Sequence, residues 1–342
     1  MRKNKIYIIV ALSLFLFVQN FQAQNTESTS KVGTTAAQFL KIGSGARSIS
    51  LGGAYVAVDE GIESIYWNPA NLARIPGGGE ASFNHSNWLA DINYDFAALS
   101  VNTDFGTIGL QFISFRVPEE EVRTILFPEG TGQVWKANSI ALGLSYAKSL
   151  TEDFAIGFTG KYIHESIFNE VAQTFAVDLG IFYQTPWEPL KLGASISNFG
   201  GKMQLDGRDI YFNEAPTNEE GAVNEVPAQY RLEEYDIPLG LRFGVSLEAI
   251  KNENLRVLIV ADGAHPNDSD ESLNLGIETG LWNSVFLRAG YRTLFQEESE
   301  QGLTFGLGLR YDVVGMNLRL DFGYADFGRL ESVQFFTLSI GY

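Results

Sequence analysis

The last eleven residues, Ser332 to Tyr342, alternate strictly and then stop. Gln334, Phe336, Leu338, Ile340 and Tyr342 share one face; Val333, Phe335, Thr337, Ser339 and Gly341 share the other. A strand that finishes on an aromatic, with no polar tail, presents a row of unpaired backbone N–H and C=O groups. In a bilayer nothing outside the protein satisfies that row, so the last strand is expected to pair with the first and close the sheet. The expected fold class is all-β, a transmembrane antiparallel β-barrel.

The same rhythm of two runs back to about residue 80. Leu303, Phe305, Leu307, Leu309 and Tyr311 alternate with Thr304, Gly306, Gly308 and Arg310. Leu318, Leu320, Phe322 and Tyr324 alternate with Asn317, Arg319, Asp321 and Gly323. Comparable segments at 138–148, 154–166, 173–184, 190–198, 239–248, 273–281 and 284–293, and weaker ones at 81–87, 92–102, 105–116 and 255–262, bring the expectation to about fourteen strands, counting the last. An even number is what single-chain bacterial outer-membrane barrels require. With both termini placed on the periplasmic side, the short connections (102–104, 149–153, 185–189, 251–254, 282–283, 312–315) all fall there. The long ones (117–134, 200–236, 263–271, 295–301) all fall outside, the usual asymmetry of such barrels.

Charge fixes which face is which. Lys161, Asp178, Arg242, Glu248, Glu278, Arg288, Arg292, Arg310, Arg319 and Asp321 occupy the faces opposite the Leu and Phe rows. Turned toward lipid, each Arg or Lys near the midplane costs about 2–4 kcal/mol, so these faces belong to the lumen. Tyr146, Tyr183, Trp187, Trp282, Tyr291 and Tyr342 fall near strand ends, where a barrel keeps its interfacial aromatics. A mean hydropathy of -0.02 is far too low for a helical membrane protein and suits alternating strands. With no Cys there is no thiolate metal site and no lipoprotein anchor. A net charge of -17 argues against nucleic acid, which needs a basic surface.

The start of the chain has a different grammar. Arg2, Lys3 and Lys5 precede the apolar run Ile6 to Val18, and Ala23 offers a cleavage site, so 1–23 is read as a signal peptide and the protein as exported to the outer membrane. Residues 24–79 are expected to form an N-terminal segment and hatch, and 80–342 the barrel. Residues 25–34 are polar; Ala36 to Arg74 is rich in small residues and lacks alternation. Asn68 followed by Pro69 reads as a helix N-cap with proline at the first helical position. Too polar to cross lipid, this segment is expected to plug a lumen that would otherwise stand open.

The stretch Ala37 to Ile75, AQFLKIGSGARSISLGGAYVAVDEGIESIYWNPANLARI, resembles the N-terminal signature of the PorV/PorQ family, within the FadL-like group of outer-membrane barrels. The resemblance rests on Gly45-Ala46-Arg47, Leu51-Gly52-Gly53-Ala54, Asp59-Glu60-Gly61 and Trp67-Asn68-Pro69-Ala70. It implies a fourteen-stranded barrel with an N-terminal hatch, and two alternative activities. PorV-like proteins are non-enzymatic components of the type IX secretion system that bind the C-terminal signal domains of exported cargo and work with the translocon. FadL-like proteins are passive channels for long-chain fatty acids and other hydrophobic compounds. The Gly-rich, mixed-charge lumen expected here suits a packed hatch better than an apolar conduit. The segment Gly200–Asp236 supplies a platform for a partner, with Tyr211, Phe212, Tyr230 and Tyr235 as candidate contacts. Outer-membrane lipid, the translocon and cargo signal domains are thus the expected partners.

Readings as an enzyme or metalloprotein are weaker, and no cofactor is expected. His85, His164 and His265 are the only histidines; Ser166 shares a strand face with His164, but there is no nucleophile elbow. Gly43-Ser44-Gly45-Ala46 lacks the Gly-Lys-Ser/Thr ending of a phosphate loop. Glu119–Glu121 and Asp268–Glu271 are read as solvated acidic loops whose spacing fits no EF-hand. Arg47 and the lumen arginines are expected to pair with Asp59, Glu60, Asp178, Glu278 or Asp321 and to lock the hatch to the wall.

Overall fold

The computed structural model describes residues 32–214, 225–296, 299–313 and 315–342. The segment read as a signal peptide lies outside the described residues. Fourteen barrel strands follow in order: β1 Gly79–Asn87, β2 Asn93–Thr103, β3 Gly106–Arg116, β4 Ala137–Ser149, β5 Phe154–Ile167, β6 Glu170–Gln184 and β7 Leu190–Gly200, then β8 Gly240–Lys251, β9 Leu255–Pro266, β10 Ser272–Leu281, β11 Val285–Leu294, β12 Leu303–Val313, β13 Met316–Asp326 and β14 Ser332–Gly341. Each pairs antiparallel with its sequence neighbours. Closure comes from β14 on β1, in register from Glu80 opposite Gly341 to Asn87 opposite Gln334. The edge that the C-terminal sequence would have left open is thereby removed.

The parity read from charge is the parity observed. Leu303, Phe305, Leu307 and Leu309 of β12 remain about half exposed (48–57%), whereas Thr304 between them is 0% exposed. Lys161, Asp178, Glu248, Glu278, Arg288, Arg292 and Asp321 are all buried, turned into the lumen. The outer wall is therefore an apolar belt suited to lipid, and the core of the molecule lies inside the barrel rather than between two sheets.

Two expectations change. His265 is not in a loop: it is the penultimate residue of β9, exposed, with Nδ1 at 3.0 Å from Glu271 Oε1. The chain also does not enter on the side of the short turns. The Ala36 N–H donates to Asp236 O at 2.9 Å, and Thr35 Oγ1 donates to Asp268 Oδ2 at 2.6 Å; both acceptors lie in connections at the long-loop end. The chain descends through the lumen and reaches the turn end only at Gly78, whose N–H donates to Tyr342 O at 2.5 Å. β1 then starts upward from that end, so an even strand count closes the barrel whichever side the chain comes from.

Candidate functional site: the hatch and the loop end

Between Val32 and Gly78 the chain makes only single turns of helix: Gln38–Lys41, Ala46–Ser50, Ser64–Trp67 and Pro69–Arg74. Its shape is set by contact with the wall. Gly52 has φ +71, and a Cβ there would sit 2.6 Å from the carbonyl oxygens of both Leu275 and Tyr291. Only glycine accepts both the conformation and the approach. On the opposite wall a Cβ on Gly157 of β5 would collide with the Pro69–Ala70 backbone. The Asn68-Pro69-Ala70 signature thus sits where the wall has no side chain.

Asn68 is the cap that the sequence implied, with Oδ1 accepting from Ala70 N–H at 3.1 Å. It does more: Nδ2 donates to Val56 O within the hatch and to Ile181 O on β6, both at 2.9 Å. Asn71 donates to Val56 O at 3.1 Å and Val58 O at 2.9 Å. From β9, Asp262 Oδ2 accepts the Tyr55 and Val56 N–H groups at 2.7 and 2.9 Å.

Toward the turn end the hatch and wall meet through ions. Arg47 donates in two-pronged fashion to Glu278, Nε to Oε2 at 2.8 Å and Nη2 to Oε1 at 2.7 Å. Arg288 joins Glu278 to Asp321, at 2.6 Å to each. Glu60 pairs with Arg47 at 3.1 Å and with Arg256 at 2.8 Å. Lys191 reaches Asp59 at 2.6 Å, and Arg319 pairs with Glu80, with Glu63 at 3.5 Å. Such pairs persist when buried only if each charge is answered, as most are here. Arg319 and Arg310 depart from the expected partners, Arg310 pairing with Asp312 at 3.9 Å, and Arg242 and Arg292 have no carboxylate within ion-pair distance among the described residues.

Toward the loop end the contact is aromatic. Tyr66 packs edge-on against Trp67 (centroids 5.0 Å) and Phe96 (6.3 Å), Phe39 lies 6.3 Å from Phe115, and Trp88 meets Phe327 (5.0 Å) and Phe335 (6.2 Å). Gly53 and Gly45 take left-handed conformations around this layer, with Gly45 packed against Glu63. The lumen still carries charge on this side: Lys161 pairs with Asp178 at 2.8 Å, and Glu165 Oε2 accepts the Ala37 N–H at 3.1 Å. Val333 and Phe335, on the face of β14 opposite Phe336 and Leu338, are 1% and 0% exposed in this layer. A cleft of about 290 Å³ opens above it, lined by Gln38, Phe39, Lys41, Ile42, Trp88, Phe115 and Gln301.

Asp268 is a second correction. Read as part of a solvated loop, it is 1% exposed and accepts from Thr35, Gln38 and Lys41. Burial pushes its carboxyl up, but those three donors outweigh burial and hold it below its ordinary range.

The expected partner platform is an arm outside the barrel. Tyr211–Glu214 pairs with Val226–Gln229, and Phe212 lies against Tyr230 with centroids at 4.8 Å. Tyr211, Tyr230 and Tyr235 are about half exposed or more (54, 63 and 47%). Tyr235 is further down, exchanging backbone hydrogen bonds with Met203 at 2.8 and 2.9 Å. The four residues share one arm but form two separate contacts. Ser166 Oγ donates to Asn138 O at 3.3 Å, and among the described residues no hydrogen bond joins it to His164. Glu120–Glu121 pairs with Val134–Trp135 as an exposed two-residue ladder.

Alternation was blind to Asp262, Asp268, Asn71 and Tyr66, which shape the site. Asp262 had a signal, an acid on the inward face of a weakly patterned strand; Tyr66 and Asn71 flank the Trp-Asn-Pro-Ala motif.

With this geometry the chain can be placed among known proteins. Its fold is that of the toluene transporter TodX of Pseudomonas putida (TM-score 0.55, 14% identity, 87% of this chain and 97% of that one). It is also that of the toluene transporter TbuX of Ralstonia pickettii (TM-score 0.52, 13% identity, 87% and 97%) and the monoaromatic hydrocarbon channel CymD (TM-score 0.53, 14% identity, 87% and 96%). Identities this low speak for the fold alone. No curated protein sequence matches the chain. A family model described as type IX secretion system protein PorV matches residues 24–226, well over half of the sequence. This outer-membrane β-barrel belongs to the PorV family of type IX secretion system proteins.

Proposed function

We propose that this protein is a non-enzymatic component of type IX protein export, exported by residues 1–23, wetted by outer-membrane lipid and binding cargo signal domains or the translocon at its loop end. The observation that carries the reading is the family match over 24–226. A lumen filled by the hatch supports it, because a protein that binds partners outside the wall has no need of an open interior. Tyr211, Phe212, Tyr230 and Tyr235 on the arm are the proposed contacts. The hatch residues Gly45, Arg47, Gly52, Gly53, Trp67, Asn68, Pro69 and Ala70 serve to keep the barrel closed. Affinity capture of the native protein from crosslinked outer membranes is expected to recover translocon subunits or proteins with C-terminal signal domains. Deleting the gene is expected to leave those cargo proteins in the periplasm. Normal secretion in the deletion strain would defeat the proposal.

One observation favours a second reading, a FadL-like passive channel for hydrophobic compounds. The cleft of about 290 Å³ has an apolar floor of Phe39, Ile42, Trp88 and Phe115, on a fold shared with hydrocarbon channels. Under this reading the deletion strain secretes normally but loses uptake of a fatty acid or aromatic compound.

A further inference from the structure

Most of the inward-facing arginines are answered by carboxylates; Arg292 and Arg242 are not. Arg292, near the loop end of β11, is 7% exposed, and among the described residues its Nε and Nη1 have no hydrogen-bond partner. Its Nε lies 3.7 Å from the position a Cβ on Gly53 would take, and Trp67 Cη2 lies 3.2 Å from that same position. Arg242, at the matching height on β8, places its guanidinium over the Trp67 ring at 5.0 Å from the centroid. The two cations therefore converge on one corner of the hatch. Asp262 on β9 gives its Oδ2 to the Tyr55 and Val56 N–H groups, and its Oδ1, itself without a hydrogen-bond partner among the described residues, forms no ion pair with either arginine. Asp178 is spent on Lys161 at 2.8 Å. A guanidinium taken out of water without a counter-charge is strongly disfavoured, and a second one beside it adds repulsion. Cation–π contact with Trp67 offsets part of this for Arg242 and nothing for Arg292.

We infer that Arg292 and Arg242, beside Gly53 and Trp67 of the hatch, bind a small inorganic anion that completes the contact between hatch and wall. The ion supplies on the loop side the negative charge that Glu278 supplies on the turn side.

The test uses the full-length mature protein in detergent. Crystals soaked in sodium bromide are expected to show an anomalous peak within hydrogen-bond distance of the Arg292 guanidinium; an empty map at that corner overturns the inference without any variant. In solution at constant ionic strength, replacing bulky gluconate by chloride is expected to raise the unfolding midpoint by about 2–4 °C. Arg292→Met is expected to abolish that rise and Arg242→Met to reduce it; an equal rise in Arg292→Met overturns the site. Acetate and laurate distinguish the source of the charge. Laurate acting about a hundred-fold below the acetate concentration assigns the corner to an amphiphile's headgroup, since its tail adds apolar burial, and removes the inorganic ion.

Discussion

Toward the turn end the hatch is held by ions; toward the loop end it is held by aromatic rings. At the turn end Arg47, Glu278, Arg288 and Asp321 form one chain of pairs, and Glu60, Arg256 and Glu248 continue it. Near the loops, Phe39, Tyr66, Trp67, Trp88 and Phe335 pack against one another and the wall. The two contacts differ in tolerance. Trimming a ring leaves a cavity that its neighbours close in part. A charge chain has no such recourse, because removing one member strands the others in low dielectric. The ionic contact is thus the more brittle of the two, and it stands where the sealed lumen adjoins the short turns.

The hardest blow to this contrast is Glu278→Ala. It leaves Arg47 and Arg288 facing each other with no shared acceptor, a loss of about 3–5 kcal/mol. Thermal unfolding in detergent is expected to show the drop, and planar bilayers are expected to show ion conductance that the parent protein lacks. A closed bilayer with an unchanged midpoint would remove the ionic lock from the account. Phe335→Ala comes next, at about 3 kcal/mol for a ring that is 0% exposed. Here the bilayer is expected to stay closed, since the ionic half is untouched; conductance equal to that of Glu278→Ala would erase the distinction between the halves.

Asn68→Ala is intermediate in kind and smaller in size. It removes a cap worth about 1 kcal/mol and the side-chain donor to the Ile181 carbonyl, while Val56 O keeps Asn71, for about 2 kcal/mol in all. Hydrogen exchange is expected to rise at Ala70 and at the Val56 turn before it rises in β6. Uniform exchange across the barrel would mean that Asn68 stabilises the whole rather than the hatch.

The barrel was legible in the sequence because its two solvents differ. Lipid and lumen impose opposite chemistry on successive residues, so Leu303 to Tyr311 announces both strand and sidedness. The hatch has no such period. Its path is written in where the wall lacks side chains, at Gly157 for example, and in single polar groups such as Asp262, whose partners are more than 200 positions away. Asn68 was visible because a cap is a local pattern. The entry of the chain at the loop end was not, because Thr35 and Ala36 are placed by Asp236 and Asp268, and nothing near Thr35 in sequence encodes that pairing. The inward face of β14 at Val333 and Phe335 was unreadable for a related reason. Alternation tells which face is inside, and only the hatch tells whether inside is wet.

The smallest predicted effect sharpens the comparison at the upper rim, where an ion joins the rings. Asp268 ties Thr35, Gln38 and Lys41 to the β9–β10 connection, and those donors keep its carboxyl below the ordinary range. A carboxyl depressed by folding contributes stability that is full above its unfolded value, about 3.9, and fades as pH falls through the folded value. Acidification from pH 6 to pH 3 is therefore expected to loosen residues 35–41, seen as faster hydrogen exchange after correction for the intrinsic rate. Asp268→Asn keeps the shape and removes the titration, so its exchange at 35–41 is expected to be raised already at pH 6 and to change little on acidification. If the parent and Asp268→Asn respond to acid alike, the rim is held by its rings and the ion is incidental; if only the parent responds, the chain's entry is fastened by charge even where the hatch below it is fastened by packing.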